Sequence, residues 1–435
     1  MAVLCLALAV ALGSAAGAAA AAPGAPTGRE VLLDWYKLVL ELTRHTPTYT
    51  PPVASRAYAY ISVAGYEAVA GGSSDLGSLA GQLNGLTPLP ARTAGASYDD
   101  AIVLEATLAA AVNQLFDNTG PTGHRAMTAL AKELDDATAK DVAAEIVARS
   151  KAYGEAVAAH ILDWSKDDGG AVVENMGFPR TYQLTPGPGH WVPTNTIAQQ
   201  QFPLLPGWGK NRPFAMPKGA SCALPAPPAY SEDPASEYYK QAKEVVDLNH
   251  NLTPEQRAIA RFWADDAMLS VTPPGHWVSI ALQMIDRQQL GLEKSVDVLP
   301  RLSITEADAF IGCWQSKFVY DTVRPLTYIK RVMDPNFETV VNTPPFPEYP
   351  SGHSTQSGAA ATVLTAIFGE NFAFDDATDE ADALKPRHFD SFWAAAKEAA
   401  VSRLYAGIHY RAAVDNGLDQ GRCIGAYAVA LKTWR

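Results

Sequence analysis

Apolar residues recur every three to four positions through most of this chain. The recurrence predicts helices over residues 31–43, 55–70, 98–116, 141–165, 236–248, 254–269 and 276–290. The last third adds four more: residues 305–330, a run beginning after Ser351, about 386–405, and about 410–432. Two-residue alternation is scarce, so the fold class is all-α, a helical bundle with long irregular loops. Residues 166–232 break the pattern, being rich in Gly, Pro and Trp (GPGHW, LLPGWGKNRP). That segment is too long for a turn, and reads either as a cap over a site or as a surface excursion. The chain thus divides into an N-terminal helical region, residues 28–250, and a C-terminal bundle, residues 251–435, which one continuous domain could unite. No internal repeat emerges.

Composition narrows the options. A chain of 435 residues with 48% hydrophobic and 18% charged residues can bury a large core. A net charge of −12 argues against nucleic acid and anionic membranes as general partners. Residues 1–22 are apolar, rich in small side chains and end in an A-x-A-like sequence, which reads as a signal peptide without a basic leader. The expected location is therefore secreted or periplasmic. No later stretch has the eighteen apolar residues of a membrane span. The cysteines are Cys5, Cys222, Cys313 and Cys423, so at most one internal disulfide remains after signal removal.

Candidate chemistry concentrates in three segments: KFVYDTVRP from Lys317, PSGH from Pro350 and SRLYAGIH from Ser402. Lys317 and Arg324 are seven residues apart, a spacing that puts both on one face of a continuous helix ended by Pro325. Taken alone they would be a solvated cationic face. Ser351 and Gly352 precede an alanine-rich helix, whose free N–H groups and dipole favour an anion; ordinary N-capping is the plainer explanation. Arg403 and His409 are six apart with Gly407 between them, which suggests a break there. Arg403 would close one helix and His409 open the next. A helix-start histidine stays neutral, as a metal ligand or nucleophile must, although a core histidine is the commoner case. Three cations, a helix start and two histidines together suit one phosphate-like oxyanion.

K-x6-RP, PSGH and SR-x5-H in this order resemble the signature of the vanadium-dependent haloperoxidase and type 2 phosphatidic acid phosphatase superfamily, over about residues 303–430. The resemblance implies that Lys317, Arg324, Arg403, Ser351 and the Gly352 N–H hold the oxyanion. It makes His409 the ligand to vanadium, or the nucleophile toward phosphorus, and His353 the acid–base group. Lys317 would also assist the oxidant. Trp314 and Phe346, as pocket residues, match the peroxidase branch, and phenylalanine at 346 matches its chloroperoxidase-like members. Core packing is the alternative for each ring. The implied cofactor is vanadate, or phosphate in a phosphatase. The implied partners are hydrogen peroxide, halide and a small organic acceptor.

The implied activity is halide oxidation to hypohalous acid. The alternative is a soluble acid phosphatase, hydrolysing phosphomonoesters or phosphatidate through a phosphohistidine. Large helical surfaces in such proteins suit a homo-oligomer, but no interface stripe stands out. In one respect the chain departs from the family: the aspartate expected four residues after the ligand histidine is Ala413. The partner of His409 is thereby unassigned, with Asp415 and Asp419 the nearest acids. In FWADDAMLSVTPPGHW, Asp265, Asp266 and His276 are candidates to line a substrate entrance, with packing and capping as the alternative.

Overall fold

Two helices with almost no exposed face organise the molecule. The computed structural model describes residues 24–194 and 198–435, so the expected signal peptide lies outside the described residues. Helix α2 (Pro51–Ala70) is buried along nearly its whole length and packs on α9 (Leu292–Tyr320). Around them lie α1 (Gly28–His45), α3 (Asp100–Leu115), α4 (Pro121–Thr138) and α5 (Ala144–Ser165). The chain then continues through α6 (Glu237–His250), α7 (Pro254–Phe262), α8 (Thr272–Arg287) and α10 (Pro325–Val332). It closes with α11 (Gly352–Phe368), α12 (Phe392–Tyr405) and α13 (Arg411–Val429). The all-α class holds. Among the described residues one short antiparallel pair interrupts it, β1 (Phe374–Asp376) and β2 (Arg387–Phe389), in register Phe374 to Phe389.

Several boundaries differ from expectation, each for a local reason. Helix α4 is missing from the periodicity because it is polar on most faces, burying only Met127, Leu134 and Thr138. The run 254–269 stops at Phe262, and Asp265 and Met268 beyond it adopt positive φ of 49° and 69°. Helix α8 begins before His276, since Pro273 and Pro274 sit in a first turn that needs no N–H donor. The run 305–330 is two helices, because Asp321 takes a left-handed φ of 49° and caps α9.

One apolar cluster runs from α1 through α12, joining residues on both sides of position 250. A second, containing Phe178, Leu204 and Trp208 of the Gly/Pro-rich excursion, packs on Phe310 and Trp314 of α9. The excursion therefore covers one end of the bundle, and Cys222–Cys423 bonds it to α13. Cys313 is the free, buried cysteine among the described residues. Among those residues, no helix is long and apolar enough to cross a membrane.

Helices α11 and α13 approach each other closely enough to bring two site segments together. Gly417, Gly421 and Gly425 form a stripe on α13 facing α11, and a Cβ on Gly421 would fall 2.1 Å from the Thr355 carbonyl oxygen. A Cβ on Gly417 would lie 2.7 Å from that of Ser354. Without side chains in the way, the start of α13 is drawn against the start of α11. Ser351 N–H donates to Ala413 O at 3.0 Å, which locks the two helix starts together.

Candidate active site

Most predicted site residues lie at or near the end of a helix; Phe346 lies in the loop before α11 and Trp314 within α9. Lys317 sits in the last turn of α9. Arg324 is not on that helix; it N-caps α10 after the extended residues 322–323. The expected shared helix face is thus corrected. The link is held instead by the excursion, through Trp191 N–H to Asp321 O and Val323 N–H to Gly189 O, both 3.0 Å. The two cations still converge, 5.1 and 4.9 Å above the centre of the Phe346 ring. Phe346 is thereby both a cavity wall and a cation–π platform. Trp314 packs on it at 4.8 Å and donates its indole N–H to Leu204 O at 3.1 Å.

Ser351 caps α11, its hydroxyl oxygen accepting from Ser354 N–H at 3.3 Å, so the capping reading is also true. Gly352 opens that helix at the cavity wall, and a Cβ there would meet only Trp314, at 3.9 Å. First-turn N–H groups have no partner within their own helix and favour an anion. Arg403 ends α12, Gly407 turns the chain with φ 80°, and His409 follows just before α13. The break predicted at Gly407 is present.

All three cations are buried. Lys317 Nζ donates to the carbonyls of Pro347, Glu348 and Pro350, and burial pushes its pKa down to about 7. An oxyanion in the cup would compete with one of those carbonyls for a proton. Arg324 donates from Nε to Phe346 O (2.8 Å) and from Nη1 to Ile408 O (3.0 Å), while Nη2 is buried without a partner. Arg403 donates from Nε to Ser402 Oγ (2.9 Å) and from Nη2 to Ala260 O (3.1 Å). Burial lowers both guanidinium pKa values to about 10.

His409 is neutral. Burial, then Arg324, Lys317 and Arg403, hold its pKa well below the ordinary range. Its partner is a residue that motif spacing missed. Nδ1 donates to Glu348 Oε1 at 2.9 Å, and the same oxygen accepts Tyr410 N–H at 2.9 Å. Glu348 is only two residues before Pro350, in EYPSGH, where a buried acid next to a motif was the available signal. Asp415, one of the two acids nearest in sequence, is exposed and 4.0 Å from Arg411. With Nδ1–H held, the lone pair is on Nε2, 3.1 Å from Arg324 Nη1. We expect Glu348→Gln to weaken oxyanion binding by about 10- to 100-fold, as for other outer partners of a ligand histidine. Equilibrium dialysis against orthovanadate measures this.

A cavity of about 270 Å³ opens above the cup, walled by Phe178, Leu204, Phe310, Trp314 and Phe346. Arg403, His409, Gly352 and His353 form its polar floor. His353 is 17% exposed, and its Nε2 lacks a hydrogen-bond partner. Burial and the nearby Arg403 hold it neutral. Asp265 and Asp266 line the cavity as expected. His276 does not; it is wholly buried behind Asp265.

Three buried cations, one of them with a guanidinium nitrogen (Arg324 Nη2) lacking a partner, and one imidazole nitrogen make a set that fits vanadate or phosphate. Fold and site together give a helical bundle with a buried, positively charged cup suited to an oxyanion. Residues 298–434 match the family model of the vanadium chloroperoxidase (VCPO) second helical-bundle domain. The chain is 37% identical to the protein in a crystal structure of the first bacterial vanadium-dependent iodoperoxidase, with a TM-score of 0.84 over 93% of this chain and 97% of that one. It therefore belongs to the vanadium-dependent haloperoxidase family. Vanadium chloroperoxidase of Curvularia inaequalis is 24% identical over 220 residues, 37% of this chain and 36% of that relative. The match thus spans about a third of that protein. A holo-type bacterial vanadium-dependent chloroperoxidase shares the fold, at 16% identity and a TM-score of 0.69 over 89% of this chain and 92% of that one.

Proposed function

We propose that this protein is a vanadate-dependent haloperoxidase that oxidises halide with hydrogen peroxide to hypohalous acid. The observation that carries this is the neutral His409, tethered through Nδ1 to Glu348 and presenting Nε2 among three buried cations. Lys317, Arg324 and Arg403 would hold the oxyanion's charge, with the Ser351 hydroxyl and the Gly352 N–H on its other oxygens. His409 Nε2 would make the single protein bond to vanadium. Bound vanadate supplies Lewis-acid activation of peroxide without changing oxidation state.

His353, neutral and open to the cavity, accepts the proton that hydrogen peroxide gives up and returns it to the leaving hypohalite. The aromatic walls exclude water and offer a surface for a small organic acceptor. We expect His353→Ala to bind orthovanadate normally while turnover falls about 10²- to 10⁴-fold, the usual contribution of one acid–base group. Equal loss of binding and turnover would contradict that role. The likeness to an iodoperoxidase makes iodide the first halide to test. Export from the cytoplasm is part of the proposal, supported by the Cys222–Cys423 disulfide, which suits an oxidising compartment.

The same geometry favours a second reading. A neutral His409 could attack a phosphomonoester while His353 protonates the leaving oxygen. One assay separates the two: halogenation of a phenol-type indicator with orthovanadate, peroxide and each halide, against p-nitrophenyl phosphate hydrolysis without vanadate. Phosphate release with no halogenation at any halide would reverse the order.

A further inference from the structure

Behind His353 lies a buried ionic cluster that the proposed reaction leaves unused. Asp265, in the segment between α7 and α8, has a side chain 1% exposed, and its Oδ1 is 3.0 Å from His276 Nδ1. On the other side of the ring, His276 Nε2 is 2.7 Å from Asp376 Oδ2 of β1, and both side chains are fully buried. Asp376 Oδ1 also accepts the Thr378 N–H at 3.0 Å. The imidazole stacks on Trp263, 4.6 Å between centres at 19°, with Phe262 edge-on at 5.4 Å. A ring bonded to a carboxylate at each nitrogen donates from both, so His276 is an imidazolium. Burial opposes that charge, but Asp265 and Asp376 outweigh it and hold its pKa well above the ordinary range.

The other oxygen of Asp265 points toward the active site. Oδ2 is buried without a hydrogen-bond partner and lies 3.8 Å from His353 Nε2, which also lacks one. A buried polar atom left unsatisfied carries a cost, and two facing each other just beyond bonding distance mark a contact that a protonated His353 would close. We propose that His276 and Asp376 form a buried clamp that aims Asp265 at His353, making His276 a positioning residue for proton uptake at the active site. This rests on His353 being the acid–base group, which both functional readings share.

Asp379 is the fourth member; its carboxylate and the ligand atoms of Asp265 and His276 all lie within 4.8 Å of one another. A divalent cation could in principle sit there. The clamp is favoured because both His276 nitrogens are already committed to carboxylates, and a cation would have to free one. Charged groups reach His353 from every side: Arg403 of α12, His276 of α8, Lys317 of α9 and Asp265, with the Trp263 main chain bonded to the ring. His276 is the cation held behind Asp265. Its removal leaves the carboxylate and takes away a positive charge, so His353 keeps its proton to higher pH and its base form is lost sooner on acidification.

The first measurement needs no activity. In ¹⁵N-histidine-labelled protein without vanadate, His276 should show two protonated nitrogens across roughly pH 5 to 8, where a free histidine titrates. A neutral His276 overturns the clamp, as does loss of one of those protons on adding Ca²⁺ or Mn²⁺ with recovery on chelation. The second uses His276→Gln and Asp376→Asn, with thermal stability recorded beside kinetics. Both should leave orthovanadate affinity unchanged; His276→Gln should lower kcat/KM for peroxide by about 10-fold or more and move its acid limb to higher pH, while Asp376→Asn should cost His276 one of its two ring protons in the ¹⁵N spectrum. Variants that lose thermal stability yet keep the wild-type pH profile would assign the cluster a purely structural role and end the proposal. If wild type lacks peroxidase activity, the haloperoxidase reading fails separately, and the rise in the His353 pKa is read on the alkaline limb of p-nitrophenyl phosphate hydrolysis, where His353 acts as the acid.

Discussion

Alanine in place of His409 is expected to reduce vanadate-dependent halogenation to the rate of free vanadate in buffer. The imidazole is the neutral nitrogen donor among the cations of the cup, and it is 3% exposed, so no surface histidine can take its place. The variant should still fold. Its main stability cost comes from Glu348, which keeps the Tyr410 N–H but loses the Nδ1–H, a penalty of about 1–3 kcal/mol for an under-satisfied buried group. Halogenation assays and thermal melting separate the two effects. Because the deleted ring faces the cavity, added imidazole should restore part of the oxyanion binding. Full activity in the variant would remove His409 from the reaction.

Arg324→Ala should cost about 3–5 kcal/mol of oxyanion affinity, the range for breaking a buried charge pair, which is between two and four decades in Kd. Three of the guanidinium's contacts are internal: Phe346 O, Ile408 O and His409 Nε2. Nη2 has none, and is the donor left for a ligand. Arg324→Lys keeps the charge but loses the fork, so its affinity should fall between wild type and alanine. Calorimetric titration with orthovanadate distinguishes the three proteins. Unchanged affinity for the alanine variant would mean that Nη2 faces no ligand.

Much of the cup was legible because its signals are local. Ser351-Gly352 and Gly407 punctuate the chain in ways that any solvated peptide would respect and do fall at element boundaries, whereas Pro325 opens α10 instead of ending α9. The shared-face argument for Lys317 and Arg324 failed for a long-range reason. Residues 305–330 have helical composition throughout, yet Asp321 leaves the helix because the backbone of residues 321–323 pairs with the excursion at Gly189 and Trp191. A pairing across more than one hundred residues leaves no trace in periodicity.

The order and chemical type of the groups proposed to hold the oxyanion, and the all-α class, were legible in the sequence alone, the class because amphipathic spacing encodes it and the groups because their motifs resemble the family's signature. Folding decided the rest. Glu348 is 61 residues from His409, and Asp376 is 100 from His276. Only the close approach of α11 to α13, and the return of β1 against α8, bring those carboxylates to the two rings, where Glu348 fixes the tautomer of a neutral His409 and Asp376 helps to hold a proton on His276. Burial then makes the pairing strong, because a desolvated charge has few other partners.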